Sequence, residues 1–316
     1  MKGVDQLRRS DCRYAVASDE GFGFPEAVES GLGMAVPSRE FDGLCIAAFG
    51  NSVISSQFAA DACGRSGILA HVASEGRIPG WAGRGTLVLV VSYAGRREAS
   101  EALAEAKSRG CAVGWISSAH IGDAGDAVSV LPEGLSPSDA VGMEIGVLSA
   151  FLGKNGREGP RDEVEASLPG LKEYRDVLVG GSVPVGLEDL RGKVPAFYAL
   201  TDAIASARSW KAAFEPFCPM TFFGELTEFD HNEIVGWCSP NGFAGDLRMV
   251  VLRMSGGLPE LDRTVDCMLE VLGEYGREVL VIEFEGGLVS AELKAVMLSW
   301  IAYGLPEVED RWPAWG

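Results

Sequence analysis

The sequence predicts an α/β fold in two domains of similar design, each a parallel sheet with helices on both faces. Three observations predict it. Short continuous apolar runs recur along the chain, such as 87-LVLVV-91 and 278-EVLVIEF-284. Runs of this kind mark strands buried on both faces, as in parallel sheets. Amphipathic stretches separate them, which is how crossover helices return the chain between parallel strands. Finally, 316 residues are many for one hydrophobic core, and a Gly-rich, charged stretch broken by Pro160 (153-GKNGREGPRDE-163) divides the chain near its middle.

The elements follow in order. Strands are expected at 42–49, 68–73, 86–91, 111–116 and 127–131, with helices at 52–64, 96–109 and 138–152. In EASEALAEAKSRG the alanines and Leu103 share one helical face, and Gly110 ends the helix. Beyond the linker, a helix at 163–180 leads to a strand at 194–199 and a helix at 202–214. Strands at 247–253 and 278–284 then alternate with helices at 258–274 and 289–303. The expected domains are 1–152 and 153–316. They share an architecture without a visible sequence repeat.

Composition narrows the function. Hydrophobic residues make up 47% and charged residues 23%, an ordinary globular balance. The formal net charge of −18 repels phosphate backbones and anionic lipid heads, which argues against nucleic-acid and membrane partners. No apolar run approaches the ~20 residues that span a bilayer, and the N-terminal stretch has no apolar core of signal-peptide length. Seven cysteines are scattered, odd in number and never spaced C-x-x-C. That pattern argues against disulfides and metal sites and implies a cytoplasmic protein.

Two loops could hold an anion. The run TLVLVV passes straight into Ser92-Tyr93-Ala94-Gly95-Arg96-Arg97 and a helix; Phe49-Gly50-Asn51-Ser52 likewise closes a strand and opens a helix. A helix N-terminus offers free N–H groups and the positive end of its dipole. Both loops fall at the carboxyl ends of parallel strands, where ligands of such sheets bind. Ser52 and Ser92 are also good helix-capping residues, and that reading explains them without a ligand.

These stretches resemble the first half of a sugar isomerase (SIS) domain, whose pattern is a Gly-Ser turn followed by a strand ending S-Y-S-G-N-T-x-E. Gly50, Ser52, Ser92, Tyr93, Gly95 and Glu98 match it. Ala94, Arg96 and Arg97 replace a Ser, an Asn and a Thr, exchanging two hydroxyl donors for two guanidiniums. Arginine can bind phosphate bidentately, so Arg96 and Arg97 are candidate phosphate ligands. Ser117 and Ser118 fall on a further family loop.

The second half is similar to one branch of that family, the bifunctional phosphoglucose/phosphomannose isomerases. The carrying stretches are 209-SWKAAFEPF-217 and 225-ELTEFDHNEIVGW-237. The resemblance places Glu215 on the family's catalytic base and His231 on its catalytic histidine. It implies a homodimer in which His231 is supplied across a two-fold interface, a phosphosugar as substrate, and no cofactor or metal. The chemistry needs these residue types: a carboxylate moves a proton between C1 and C2 of the open-chain sugar, and a histidine shuttles the ring-opening proton near neutral pH. Phe214, Pro216 and Phe217 suggest apolar surroundings for Glu215. Asp230 and Glu233 also fit a D-x-x-E capping box, which would leave His231 as a first-turn residue.

Other family features are missing. Ser138 stands where the branch has an arginine, and the tail 304-GLPEVEDRWPAWG-316 carries no lysine where the branch has one. Arg311 is a possible substitute. Two readings stay open: an aldose–ketose isomerase acting on sugar phosphates, or a non-catalytic protein of the same fold that binds them.

Overall fold

The computed structural model describes residues 21–303 except 75, 122–125, 181–183, 185, 191–192, 217, 219 and 240–246. Helix α1 (Phe24–Leu32) precedes β1 (Gly43–Ala48), α2 (Ser52–Arg65), β2 (Ala70–Ser74), β3 (Thr86–Val91), α3 (Arg97–Ser108), β4 (Ala112–Ser117) and β5 (Asp126–Val130). Helices α4 (Pro137–Lys154) and α5 (Glu158–Val179) lead to β6 (Val194–Ala199), α6 (Ile204–Phe214) and β7 (Phe222–Glu225). A short turn α7 (Leu226–Glu228), a wide π turn (Phe229–Glu233) and α8 (Ile234–Cys238) follow. Strand β8 (Leu247–Met254), α9 (Pro259–Glu274), β9 (Val279–Phe284) and α10 (Leu288–Tyr303) complete the described chain.

The strands form two fully parallel sheets. The first runs β2-β1-β3-β4-β5 and the second β7-β6-β8-β9. Reading β6 as the counterpart of β1, the second sheet repeats the order of the first four strands. The expected duplication is therefore real as topology. Strands β1 and β3 are buried at every residue, as their unbroken apolar runs require.

Both sheets are covered on both faces. On the first, α3 packs on one side with Val88 and Val90, while α2 and α4 cover the side of Leu87, Leu89 and Val91. On the second, Phe197 faces Trp210 and Phe214 of α6, and its neighbour Tyr198 faces Phe229 on the opposite side. Alternate residues of one strand thus separate α6 from the segment carrying His231.

The halves are not joined by an open linker. Helix α4 ends at Lys154 and α5 begins at Glu158, so the Gly-rich stretch is a tight turn, with Pro160 buried in the first turn of α5. Proline early in a helix forgoes an N–H that has no intrahelical partner there. Residues of α1, α2, α4, α5, α6 and α10 form one continuous core between the sheets. Among the described residues no helix is long and apolar enough to cross a membrane.

A charged cluster sits in that core where α2, α6 and α10 meet. Glu292 is fully buried, and neither of its carboxylate oxygens has a hydrogen-bond partner. Burial pushes it well above the usual carboxylate range, and the Asp61 charge adds to this. Asp61 is raised by the same cause, against a hydrogen bond from Gln57 and the charge of Arg65. A carboxyl group raised on folding stabilises the fold fully below its unfolded pKa and loses that contribution as pH rises through the folded value. Glu292→Gln, which removes the charge and keeps the shape, is therefore expected to raise the melting temperature by several degrees near pH 8 and to change little near pH 4.5. Equal shifts at the two pH values in a thermal melt would contradict this.

Candidate active site

The loops after β1 and β3 meet α4 around a cavity of about 270 Å³. Its wall includes Gly50, Asn51, Ser52, Ser92, Tyr93, Ala94, Arg96 and Glu144. This is slightly below the ~300 Å³ at which ligand pockets usually begin, a size for a small polar molecule. Gly50 and Gly95 hold the two turns at φ +60° and +61°, the left-handed region that glycine enters without penalty.

The hydroxyls in these loops already have work. Ser52 Oγ donates to Glu144 Oε1 at 2.7 Å and accepts the Tyr93 N–H at 3.3 Å. Ser55 Oγ donates to the other oxygen of Glu144 at 2.6 Å. Ser92 Oγ accepts the Arg96 N–H at 3.4 Å, a loose bond at the start of α3. Ser117 is buried outside the cavity; its hydroxyl donates to the Tyr93 carbonyl at 3.1 Å and accepts the Ala119 N–H, so it braces the loop from behind. Tyr93 is further fixed by its hydroxyl, which donates to Pro132 and accepts from the Leu135 N–H.

The two arginines diverge. Arg96 lines the cavity rim. Arg97 points along the exposed face of α3 and pairs with Glu101 at 2.8 Å, one helical turn on. Ser138 is buried at the start of α4 and accepts the Gly21 N–H at 3.1 Å. Arg311 and the tail 304–316 lie outside the described residues.

Glu215 hangs from the end of α6. Arg65, at the end of α2, donates to the Asp202 carbonyl just before α6. Helices α2 and α6 pack against each other, and this contact sets them antiparallel. That orientation turns the end of α6 toward the start of α2, although Glu215 itself does not line the cavity. Helix α10 agrees: Trp210 donates to the Ala295 carbonyl, and the end of α10 packs against Gly21, which is held by Ser138. The apolar surroundings expected for Glu215 are absent, because Phe214 turns into the core while Glu215 is half-exposed and paired with Lys211 at 2.9 Å.

His231 lies elsewhere. Helix α6 starts at the carboxyl edge of the second sheet and runs back beneath it for 11 residues, roughly 16 Å. His231 follows β7 beyond that same carboxyl edge, on the opposite face. Within one protomer, Glu215 and His231 thus sit at opposite ends of the sheet. The imidazole is 79% exposed. The D-x-x-E capping box is not formed: the segment enters through a π turn with no side-chain cap, and Glu233 instead accepts a hydrogen bond from the Tyr198 hydroxyl. The geometry displaced it because Phe229 and Trp237 must both pack over Tyr198.

Glu144 was missed in the sequence. The available signal was a single carboxylate within the apolar run of α4, where it is 1% exposed. Among the described residues, no group of three or more His, Cys, Asp and Glu side chains is placed to hold a metal ion.

Two parallel sheets of matching order, with glycine turns and a cavity at the carboxyl edge of the first, define an α/β protein with an SIS-like fold. Residues 187–313 match the model of the bacterial phospho-glucose isomerase C-terminal SIS domain. The chain is 25% identical over 253 residues to a bifunctional phosphoglucose/phosphomannose isomerase of Aquifex aeolicus, covering 75% of each. It is 26% identical over 242 residues to the protein of that name in Caldicellulosiruptor bescii, covering 70% of each. The resemblance to that branch therefore holds. In fold, the chain is similar to the C-terminal domain of glucosamine-fructose-6-phosphate aminotransferase from Francisella tularensis (TM-score 0.67, 12% identity, 90% of this chain and 93% of that one). It is also similar to glucosamine-6-phosphate deaminase from Thermotoga maritima (TM-score 0.60, 13% identity, 90% and 92%).

Proposed function

We propose that the protein is a cytoplasmic phosphosugar aldose–ketose isomerase of the glucose 6-phosphate/mannose 6-phosphate type. Glu215 is its base and His231 its ring-opening acid/base. What supports this reading is the cavity built on Gly50, Ser52 and Ser92, together with Glu215 closing α6, a helix that packs on α2 with its start tied to the end of α2 through Arg65. The phosphoryl group takes the two glycine turns, where backbone N–H groups and the start of α2 favour an anion. Arg96 at the rim is the cation nearest to hand for the charge that grows on the enediolate.

In this reading the histidine comes from a second copy. One protomer holds its own Glu215 and His231 at opposite ends of a sheet, whereas a two-fold dimer supplies each site with the partner's imidazole. The exposure of His231 suits that role. Mixing tests it: Glu215→Gln and His231→Ala are each expected to be inactive as homodimers. Coexpressed, they form hybrids with one intact site in two. Activity is then expected to return to about a quarter of wild type, given random pairing of equal amounts. No recovery in hybrids confirmed by mass would refute a shared site.

The occupied hydroxyls around Ser52 and the loss of an arginine at Ser138 favour a second reading, a sugar-phosphate binding protein without turnover. Exchange of the C2 proton with deuterium from solvent separates the two. Binding without exchange supports the second, and exchange supports the first.

A further inference from the structure

Glu144 is a buried carboxylate built into the wall of a cavity that the reading above assigns to an anion. Nothing in helix packing requires it, since its neighbours from Val141 to Leu152 are otherwise small or apolar. Both of its oxygens are engaged by serine hydroxyls, at 2.7 Å from Ser52 and 2.6 Å from Ser55. The Ser52 proton, the one a bound anion would want, thus points at Glu144. An ionised carboxylate here would also face a phosphoryl dianion across a site of low dielectric, where like charges repel strongly.

Resting on the phosphosugar reading, we propose that anion binding in this cradle is proton-linked through Glu144. A phosphoryl group settles on the Gly50–Ser52 turn with Glu144 neutral, the acid O–H donating to Ser52 Oγ and the Ser52 O–H donating to the anion. One proton is taken from solvent with each ligand, and no other bond is made or broken.

Few charged groups face Glu144 directly. Helix α2 contributes Ser52 and Ser55, and the loop after β3 contributes Tyr93 and, at the rim, Arg96. Its own helix carries Asp139 earlier, where burial raises the carboxyl against a hydrogen bond from Ser136. On α1, Glu26 and Glu29 turn toward α5 and pair with Arg175 and Lys172. Burial lifts Glu144 to about 7, opposed by the hydrogen bonds from Ser55 and Ser52.

Calorimetry on the full chain with 1,5-anhydroglucitol 6-phosphate tests the proposal. That ligand has no anomeric hydroxyl to open, so no turnover adds heat. Above pH 7.5 its phosphate is already fully ionised, because the second pKa lies near 6. If only the neutral form of Glu144 binds, affinity is expected to fall roughly 25-fold between pH 7.5 and pH 9, following the shrinking competent fraction. Titrations in buffers of different ionisation enthalpy are expected to show uptake close to one proton at pH 9. Glu144→Gln, its fold checked by circular dichroism, is expected to bind with no such decline and no proton uptake. Wild-type binding that is equal at both pH values overturns the inference and leaves the phosphosugar reading intact. A decline that persists in Glu144→Gln also overturns it. Absence of binding in both proteins at both pH values overturns the phosphosugar reading as well. Should Glu144→Gln fail to fold, the wild-type proton count decides alone.

Discussion

Glu215→Gln is expected to lower interconversion of glucose 6-phosphate and fructose 6-phosphate by roughly 10²–10⁴-fold, with little change in KM. Exchange of the C2 proton with deuterium should fall with it, since both pass through the same proton abstraction. Glutamine keeps the size and polarity of the side chain at the end of α6 and removes only its basicity. It also costs Lys211 an ionic partner, but the pair is open to solvent on the Glu215 side, and such pairs contribute little to stability. The melting temperature is therefore expected to stay close to wild type, which separates lost chemistry from lost fold. Deuterium incorporation at an unchanged rate would show that another group is the base.

Gly146→Leu is expected to be the most damaging single change to the fold. Helices α1 and α4 approach so closely that a Cβ on Gly146 would lie 2.2 Å from the Val28 carbonyl oxygen and 2.7 Å from the Leu32 nitrogen. A Cβ on Gly31 would lie 2.3 Å from the Met143 carbonyl oxygen. The obstacles are backbone atoms of helices already packed on both sides, so no rotamer change relieves them. The helices must separate and open the core around Phe24, Val28 and Ile145. Overpacking of side chains alone costs about 1–3 kcal/mol, and a clash with backbone is expected to exceed about 3 kcal/mol. Urea denaturation measures it. Gly64→Ala is the control, because a Cβ at that exposed position of α2 meets nothing within 4 Å. Relieving a helical glycine should stabilise by about 0.5–1 kcal/mol. If Gly146→Leu unfolds at the wild-type urea concentration, the close crossing is not a constraint. The crossing also reaches the site, since α4 carries Ser138 and Glu144.

The central strands β1, β3, β6 and β8 were legible because a strand buried on both faces is apolar at nearly every position. Strand β7 was not, because FFGE is four residues long and half-buried at an edge. The short helix α1 was missed too, because it is only nine residues long and carries Gly31, a poor helix former whose missing Cβ is what lets α4 approach. The 153–163 stretch read as a linker from its glycines and charges. Its backbone instead passes from one long helix to the next in a turn of three residues, because both helices bury a face in the shared core.

The candidate site divides in the same way. Glycine turns at strand ends and the Glu215–His231 spacing are local patterns, and the sequence by itself determined them, together with the strand content and the SIS resemblance. Only the tertiary structure decided which hydroxyls are free. It turned Ser52 toward Glu144, set Ser117 behind the loop, sent Arg97 to Glu101 and carried His231 to the far end of the second sheet from Glu215. The reason is physical: residue type and periodicity fix which elements form and which face is apolar. The partner of a polar side chain is chosen by whichever group packing brings within hydrogen-bond reach, and for Ser52 that group lies 92 positions along the chain.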